Sequence, residues 1–185
     1  MELIEKDSVL LGRVTGKIFV LIMGIVFIIG FILMNTVFPD YFMTQSNGNA
    51  YVDTHIFYAS ELGGILQSYG DAGRECYVKL SILYDFIFPL QYSLFFASCL
   101  ILTLKKYLSL KLQKAVLLLG GVLCLSDWIE NIFIITAIMR FPNIGVLHIL
   151  AQIMTLLKSA LFIIFLLAIF FGIVVIVVNK IKNRK

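Results

Sequence analysis

Charged residues are scarce in this chain of 185 residues: they make up 14% of it, against roughly a quarter in a soluble domain. Hydrophobic residues make up 61%, and the mean hydropathy is +0.99. That shortage excludes an ordinary soluble domain, and the apolar excess falls in long runs, which is the pattern of an integral membrane protein. Cysteine is scarce too. Cys76, Cys99 and Cys124 make an odd count without CxxC spacing, which excludes a readable disulfide framework or redox pair. Cys99 and Cys124 lie inside apolar runs and read as small buried hydrophobes.

Recognisable catalytic and cofactor motifs are also missing. The chain has no HExxH, no GxSxG, no P-loop, no dinucleotide fingerprint and no haem motif, so no cofactor is expected. Asp85, Asp127, Glu130 and His148 are the residue types of a mixed carboxylate–histidine metal site, but no ligand spacing supports one. The net charge of +4 does not point to nucleic acid, because the basic residues sit in short clusters beside apolar runs, where cations set membrane topology.

What the chain does have is four long apolar stretches, at 18–38, 80–104, 115–139 and 147–178. About 20 apolar residues suffice to cross a ~30 Å hydrocarbon core as a helix. The first stretch exceeds the apolar core of a secretory signal, and no small-residue cleavage site closely follows it, so it reads as a retained helix. Residues 39–79 form one sizeable polar loop with a strong turn signal at Ser46-Asn47-Gly48-Asn49. Apolar positions between Val52 and Tyr69 predict a short amphipathic helix capping the bundle, although Gly63-Gly64 weakens it. Asp71 is placed to cap a helix running through Arg74 into the second span. Pro89 should kink that span and free a backbone carbonyl. Lys105, Lys106, Lys111 and Lys114 make the second loop purely basic, and the C-terminal tail is basic as well. The positive-inside rule therefore places both termini in the cytoplasm and the 39–79 loop outside. The expected fold is all-α: a single four-helix transmembrane domain in the cell membrane, in contact with membrane lipids and compatible with a homo-oligomer.

Against this background Asp127, Glu130 and Asn131 are out of place, since they interrupt the third apolar run at positions i, i+3 and i+4, on one helix face. On the second span Arg74, Ser81, Asp85 and Tyr92 fall within about 40° of one another at 100° per residue. On the fourth, His148, Gln152, Thr155 and Ser159 form a stripe with Lys158 on its shoulder. Three spans thus carry polar faces, and in lipid such faces turn inward together. Their depths overlap in the outer half of the bilayer, where one shared cavity is expected. Lys158 is the only cation deep in the spans, against Asp85, Asp127 and Glu130. One ion pair forms easily, and of the remaining carboxylates at least one is expected to hold a proton near neutral pH and so to serve as donor or acceptor. Tyr92, Asn131 and Thr155 are suited to orienting a ligand by hydrogen bonds, and Arg74 to guiding an anionic head group. Two plainer readings are the alternatives to this one. In the first, the polar residues are only interhelical glue. In the second, Lys158 snorkels to the outer interface instead of entering the cavity, because Ser159–Val178 already spans 20 residues.

The segments Tyr84-Asp85-Phe86-Ile87-Phe88-Pro89-Leu90-Gln91-Tyr92 and Asp127-Trp128-Ile129-Glu130-Asn131, with Thr155 and Lys158, resemble four-helix prokaryotic membrane proteins that carry no established activity. In layout the chain is similar to the EXPERA group, which includes sterol isomerases. That likeness implies a substantial first loop and acidic residues facing an intramembrane pocket. The arginine-containing motif of the four-span MAPEG enzymes is absent. The resulting expectation is a lipid or amphipathic small molecule bound beside Asp127, Glu130 and Asp85, with acid–base chemistry acting on it. A proton- or cation-coupled transport component and a non-catalytic scaffold are the alternatives.

Overall fold

The computed structural model describes residues 11–52 and 58–183, and these residues are helical apart from turns, with no strand among them. Four helices are long and apolar enough to cross a membrane: α1 (Lys17–Gln45), α3 (Gly70–Leu104), α4 (Leu110–Met139) and α5 (Leu147–Lys182). A short α2 (Leu62–Ser68) lies between α1 and α3. The expected all-α four-helix bundle is what the chain forms. α3 packs against α1, α4 and α5, and α5 lies along α4. The two ends differ in chemistry. One carries residues 46–52 and 58–69 and is called here the capped end. The other carries Lys105, Lys106, Lys111, Lys114, Lys180 and Lys182 and is called the lysine-rich end.

Helix boundaries depart from the hydropathy boundaries. α1 continues to Gln45 rather than stopping near Phe38, whereas α3 starts at Gly70, beside the Asp71 start expected for a helix running through Arg74 into the second span, so much of the 39–79 loop is helix. The reason is that hydropathy marks where a run suits lipid, whereas the backbone ladder continues wherever its bonds are met. Both helices pass a proline the same way. Leu33–Val37 is a π turn, in which the Phe38 N–H reaches back to the Leu33 carbonyl, and Pro39 follows. Ser81–Asp85 is a second π turn, and Pro89 sits in the first turn of the segment that resumes at Phe88. A π turn holds one more residue than an α turn and is often found at functional sites.

Asp71 does not cap α3. Tyr69 occupies that position, and Asp71 lies in the first turn, where its charge suits the helix N-terminus and it pairs with Arg74. The short amphipathic helix is confined to α2, preceded by a 3-10 turn at Ala59–Glu61. Ile56, part of the expected apolar face, lies outside the described residues. Leu62 and Leu66 are fully buried one turn apart, and this anchors α2 despite Gly63-Gly64.

Two apolar cores stack along the bundle. The capped-end core joins Phe42, Tyr51, Leu66, Tyr69 and Tyr77 to Ile134 and Ala151. Tyr51 stacks on Tyr77 with ring centroids 4.1 Å apart, and Phe42 meets Tyr51 edge-on at 5.0 Å. The second core joins Phe96, Leu100, Leu123, Leu161 and Phe165 further toward the lysine-rich end. Outside these cores α1 exposes Ile18, Leu21, Ile25 and Ile28, and α5 exposes Ile163, Leu167, Phe170 and Phe171. Apolar surface of that extent belongs against lipid or another chain rather than water.

Glycine sets the closest helix approach. A methyl group added at Gly120 would sit 3.0 Å from Ala97 Cβ and 3.2 Å from the Ser93 carbonyl, whereas one at Gly121 meets nothing within 4 Å. Gly120→Leu is therefore expected to destabilise the bundle by about 1–3 kcal/mol through overpacking. Gly121→Leu should be close to neutral. Thermal unfolding in detergent compares the two, and equal effects would contradict the α3–α4 packing.

Candidate functional site

The polar residues of α4 and α5 meet between the two apolar cores. Lys158 Nζ lies 2.5 Å from Glu130 Oε2 and 3.6 Å from Asp127 Oδ1. Its side chain is 13% exposed, that of Asp127 7% and that of Glu130 0%, so Lys158 points inward. Thr155, one turn before Lys158 on α5, donates its hydroxyl to Glu130 Oε1 at 2.5 Å. Tyr92, reaching across from α3, donates to Asp127 Oδ2 at 2.5 Å. Asn131 donates its amide to Asp127 Oδ1 at 3.1 Å. Each carboxylate thus receives hydrogen bonds besides the ammonium. Burial of these charges requires such bonds, because ion pairing alone rarely offsets desolvation. The i, i+3, i+4 spacing on α4 and the i, i+3 pairing of Thr155 and Lys158 bring five of these side chains to one seam.

Asp85 is close to this cluster but engaged elsewhere. Its carboxylate accepts a hydrogen bond from the Tyr51 hydroxyl at 2.6 Å, and Ser81 Oγ lies 2.6 Å from the same hydroxyl. With Asp85 ionised, Tyr51 donates to the carboxylate and accepts from Ser81. The expectation that Asp85 faces Asp127 and Glu130 across one cavity is corrected. The helical arithmetic that put Ser81, Asp85 and Tyr92 on one face assumes 3.6 residues per turn throughout. The π turn at Ser81–Asp85 and the break at Phe86–Ile87 change the phase, so Tyr92 turns toward Asp127 while Ser81 and Asp85 turn toward Tyr51. The break is itself used. Pro89 has no N–H to offer the Asp85 carbonyl four residues back, and Asn131 Nδ2 lies 3.5 Å from that oxygen. The Trp128 indole donates to the next carbonyl, Phe86, at 2.9 Å. Asn131 consequently stands between the two clusters.

Arg74 is not brought to the site. Its guanidinium bonds the Leu66 carbonyl at 2.8 Å, pairs with Asp71 and lies 4.4 Å over the Phe141 ring, tying α2 and the α4–α5 turn to α3. His148 is also separate from the cluster contacts, and its Nδ1 has no hydrogen-bond partner among the described residues. No group of three His, Cys, Asp or Glu side chains suited to a metal ion lies together among the described residues.

Beside the cluster lies a cleft of about 410 Å³. Its polar side is Tyr92, Asp127, Lys158 and Ser159, and Asn35 joins them from α1. Its apolar walls are Phe31 and Met34 of α1, Phe88 of α3, and Phe162 and Ile163 of α5. The size lies within the ~300–1,000 Å³ range of small-molecule sites, which are mostly apolar with a few placed polar groups. Reading the sequence alone missed two contributors. Tyr51 was hidden because its partner is 34 positions away. The α1 wall was hidden because 18–38 reads as plain lipid-facing helix, and the signal that marks it is the Asn35-Thr36 pair before Phe38-Pro39. Those two side chains bond the Phe31 and Ile32 carbonyls at 2.8 and 2.7 Å beside the π turn.

Comparison with protein-family models, curated proteins and solved structures gives no match, so the chemistry is argued from the geometry.

Lys158→Met leaves Asp127 and Glu130 buried without their cation and is expected to cost about 3–5 kcal/mol, the range for breaking a buried pair. Adding Glu130→Gln and Asp127→Asn to Lys158→Met should recover a large part of that loss. Thermal or denaturant unfolding of the single and triple variants reads the difference. A Lys158→Met protein as stable as wild type would remove the ammonium from its structural role.

Proposed function

We infer that this chain is a multi-pass membrane protein that binds a lipid or other amphipathic small molecule in the cleft between α1 and α5, and that Asp127, on the cleft lining, is placed to exchange protons with it, with Glu130 behind it as its partner across Lys158. The single observation that carries this reading is the cleft's two-sided lining. Asp127, Lys158, Tyr92, Ser159 and Asn35 are its polar groups, and Phe31, Met34, Phe88, Phe162 and Ile163 form the apolar rest. A molecule with a polar head and an apolar body matches both sides, whereas a fully polar solute matches only one. Tyr92, Asn131, Thr155 and Lys158 fix the orientation of the two carboxylates, as a proton donor–acceptor pair requires.

The scaffold reading has one observation in its favour: both carboxylates of the cluster are satisfied by protein groups, as helix-pairing glue would be. The relay reading has less support. Between the cluster and the lysine-rich end, positions 93–104, 115–126 and 159–178 hold no charged residue and no histidine.

Protein purified from its own membranes and extracted into organic solvent is expected to release an amphiphile enriched over bulk lipid. Ser159→Trp, which fills the cleft without touching an acid, should lose it. Identical extracts from wild type and a folded Ser159→Trp variant would sink the binding reading. If Asp127→Asn and Glu130→Gln lower the melting temperature but leave the extract unchanged, the scaffold role gains and the acid–base role falls.

The lysine-rich end faces the cytoplasm in this proposal, with both termini on that side. A cysteine placed at Asn143, in a background lacking Cys76, Cys99 and Cys124, should then react with an impermeant maleimide from outside intact cells. One placed at Lys106 should react only after permeabilisation, and the reverse pattern would invert the topology.

A further inference from the structure

We propose that the head group taken by the α1–α5 cleft is electrically neutral, a hydroxyl or carbonyl rather than a phosphate, carboxylate or ammonium. The inference rests on the amphiphile-binding reading above and narrows it. Only two of the lining residues are charged, Asp127 and Lys158. They are of opposite sign and 3.6 Å apart. A head group that reaches one reaches both.

An anionic head finds a single cation in the cleft lining, and that cation is already shared. Lys158 sits 2.5 Å from Glu130 and 3.6 Å from Asp127. The incoming charge would be the third negative group around one ammonium, and like charges in a low-dielectric site repel strongly. A cationic head reaching for Asp127 meets the Lys158 ammonium at the same place. Either ion must give up its hydration to enter. For that loss an anion gains one attraction against two repulsions, and a cation gains the attraction of Asp127 against the repulsion of Lys158, with Glu130 behind the ammonium and outside the cleft lining.

A neutral hydroxyl avoids the conflict. It accepts from the ammonium and donates to the carboxylate, adding no charge to a cluster that already holds two acids and one base. A carbonyl uses the ammonium alone. The other polar lining groups, Asn35, Tyr92 and Ser159, are uncharged hydrogen-bonding side chains of the same character. The apolar walls then take the chain. The cluster therefore discriminates by exclusion: its paired charges reject the charged head groups that surround the protein in any bilayer.

The test uses the full chain in phosphatidylcholine nanodiscs and three probes with the same eighteen-carbon tail: monooleoylglycerol, oleic acid at a pH where it is ionised, and oleylamine. Bound probe is read by native mass spectrometry on wild type, Ser159→Trp and Asp127→Asn. Monooleoylglycerol is expected to be retained about tenfold or more over the two ions, given the penalty of a like-charge contact. Ser159→Trp should abolish that retention without lowering the melting temperature. Asp127→Asn should narrow the preference over oleate, because one competing carboxylate is gone. Retention of oleate, oleylamine or phosphatidylcholine that Ser159→Trp removes, at or above the level of monooleoylglycerol, would overturn the neutral-head inference while leaving amphiphile binding in place. Absence of any retention sensitive to Ser159→Trp would overturn both.

Discussion

One buried ammonium organises the middle of this bundle. Lys158 lies between Glu130 and Asp127, and all three are almost wholly removed from solvent. Two acids and one base in a low-dielectric interior are tolerable only if every charge has a fixed partner. That requirement accounts for the neighbours. Tyr92 from α3, Asn131 from α4 and Thr155 from α5 each spend a donor on one of the two carboxylates. Three helices are thereby held in one register at the level where the capped-end core gives way to the second core. A slip of one residue between α4 and α5 would rotate Lys158 away from both acids, so the cluster fixes the pairing of the helices whatever else it does.

The second constraint is the pair of prolines. A straight helix carrying Pro89 would leave the Asp85 carbonyl unbonded inside the bundle. The chain instead opens a π turn ahead of the proline, places Asn131 near the Asp85 carbonyl, and gives the Phe86 carbonyl to Trp128. α1 repeats the device ahead of Pro39, with Asn35 and Thr36 bonding local carbonyls. The two π turns lie side by side, and the rings of Phe38 and Tyr84 meet across them with centroids 4.8 Å apart. A methyl at Gly30 would meet there the Tyr84 hydroxyl, Gln91 Oε1 and the Phe88 ring, which would have to shift, so glycine favours this close approach of α1 to α3. The cleft wall formed by Phe31 and Met34 exists because α1 is held at that distance.

The four long helices were legible because uninterrupted apolar runs of this length have one structural solution in a bilayer. The central cluster was legible for a related reason. Asp127, Glu130 and Asn131, and likewise Thr155 and Lys158, lie within uninterrupted α-helix, where spacing predicts facing. The reading failed wherever a residue's direction depended on something non-local or on irregular backbone. Asp85 and Tyr92 were assigned one face and occupy two, because the π turn ending at Asp85 and the break at Phe86–Ile87 shift the helix phase before Tyr92. Tyr51 gave no sign of reaching Asp85, since that contact depends on the 46–52 segment folding onto Tyr77. Arg74 was placed by helix face and depth, and neither reveals that the Leu66 carbonyl and the Phe141 ring are the groups beside it. The end of α1 was misplaced for a separate reason: the helix continues to Gln45, into polar sequence that hydropathy scores as loop.

The position of the cleft has a consequence for how occupancy is to be expressed. Its walls are α1 and α5, two helices whose remaining surface is apolar and exposed. A molecule that enters between them leaves one two-dimensional solvent for another and never crosses bulk water. The quantity that sets saturation is then the mole fraction of that molecule in the surrounding leaflet, not its aqueous concentration. With the cleft occupied as proposed, diluting the protein in buffer would leave its occupancy unchanged, whereas adding inert lipid would lower it.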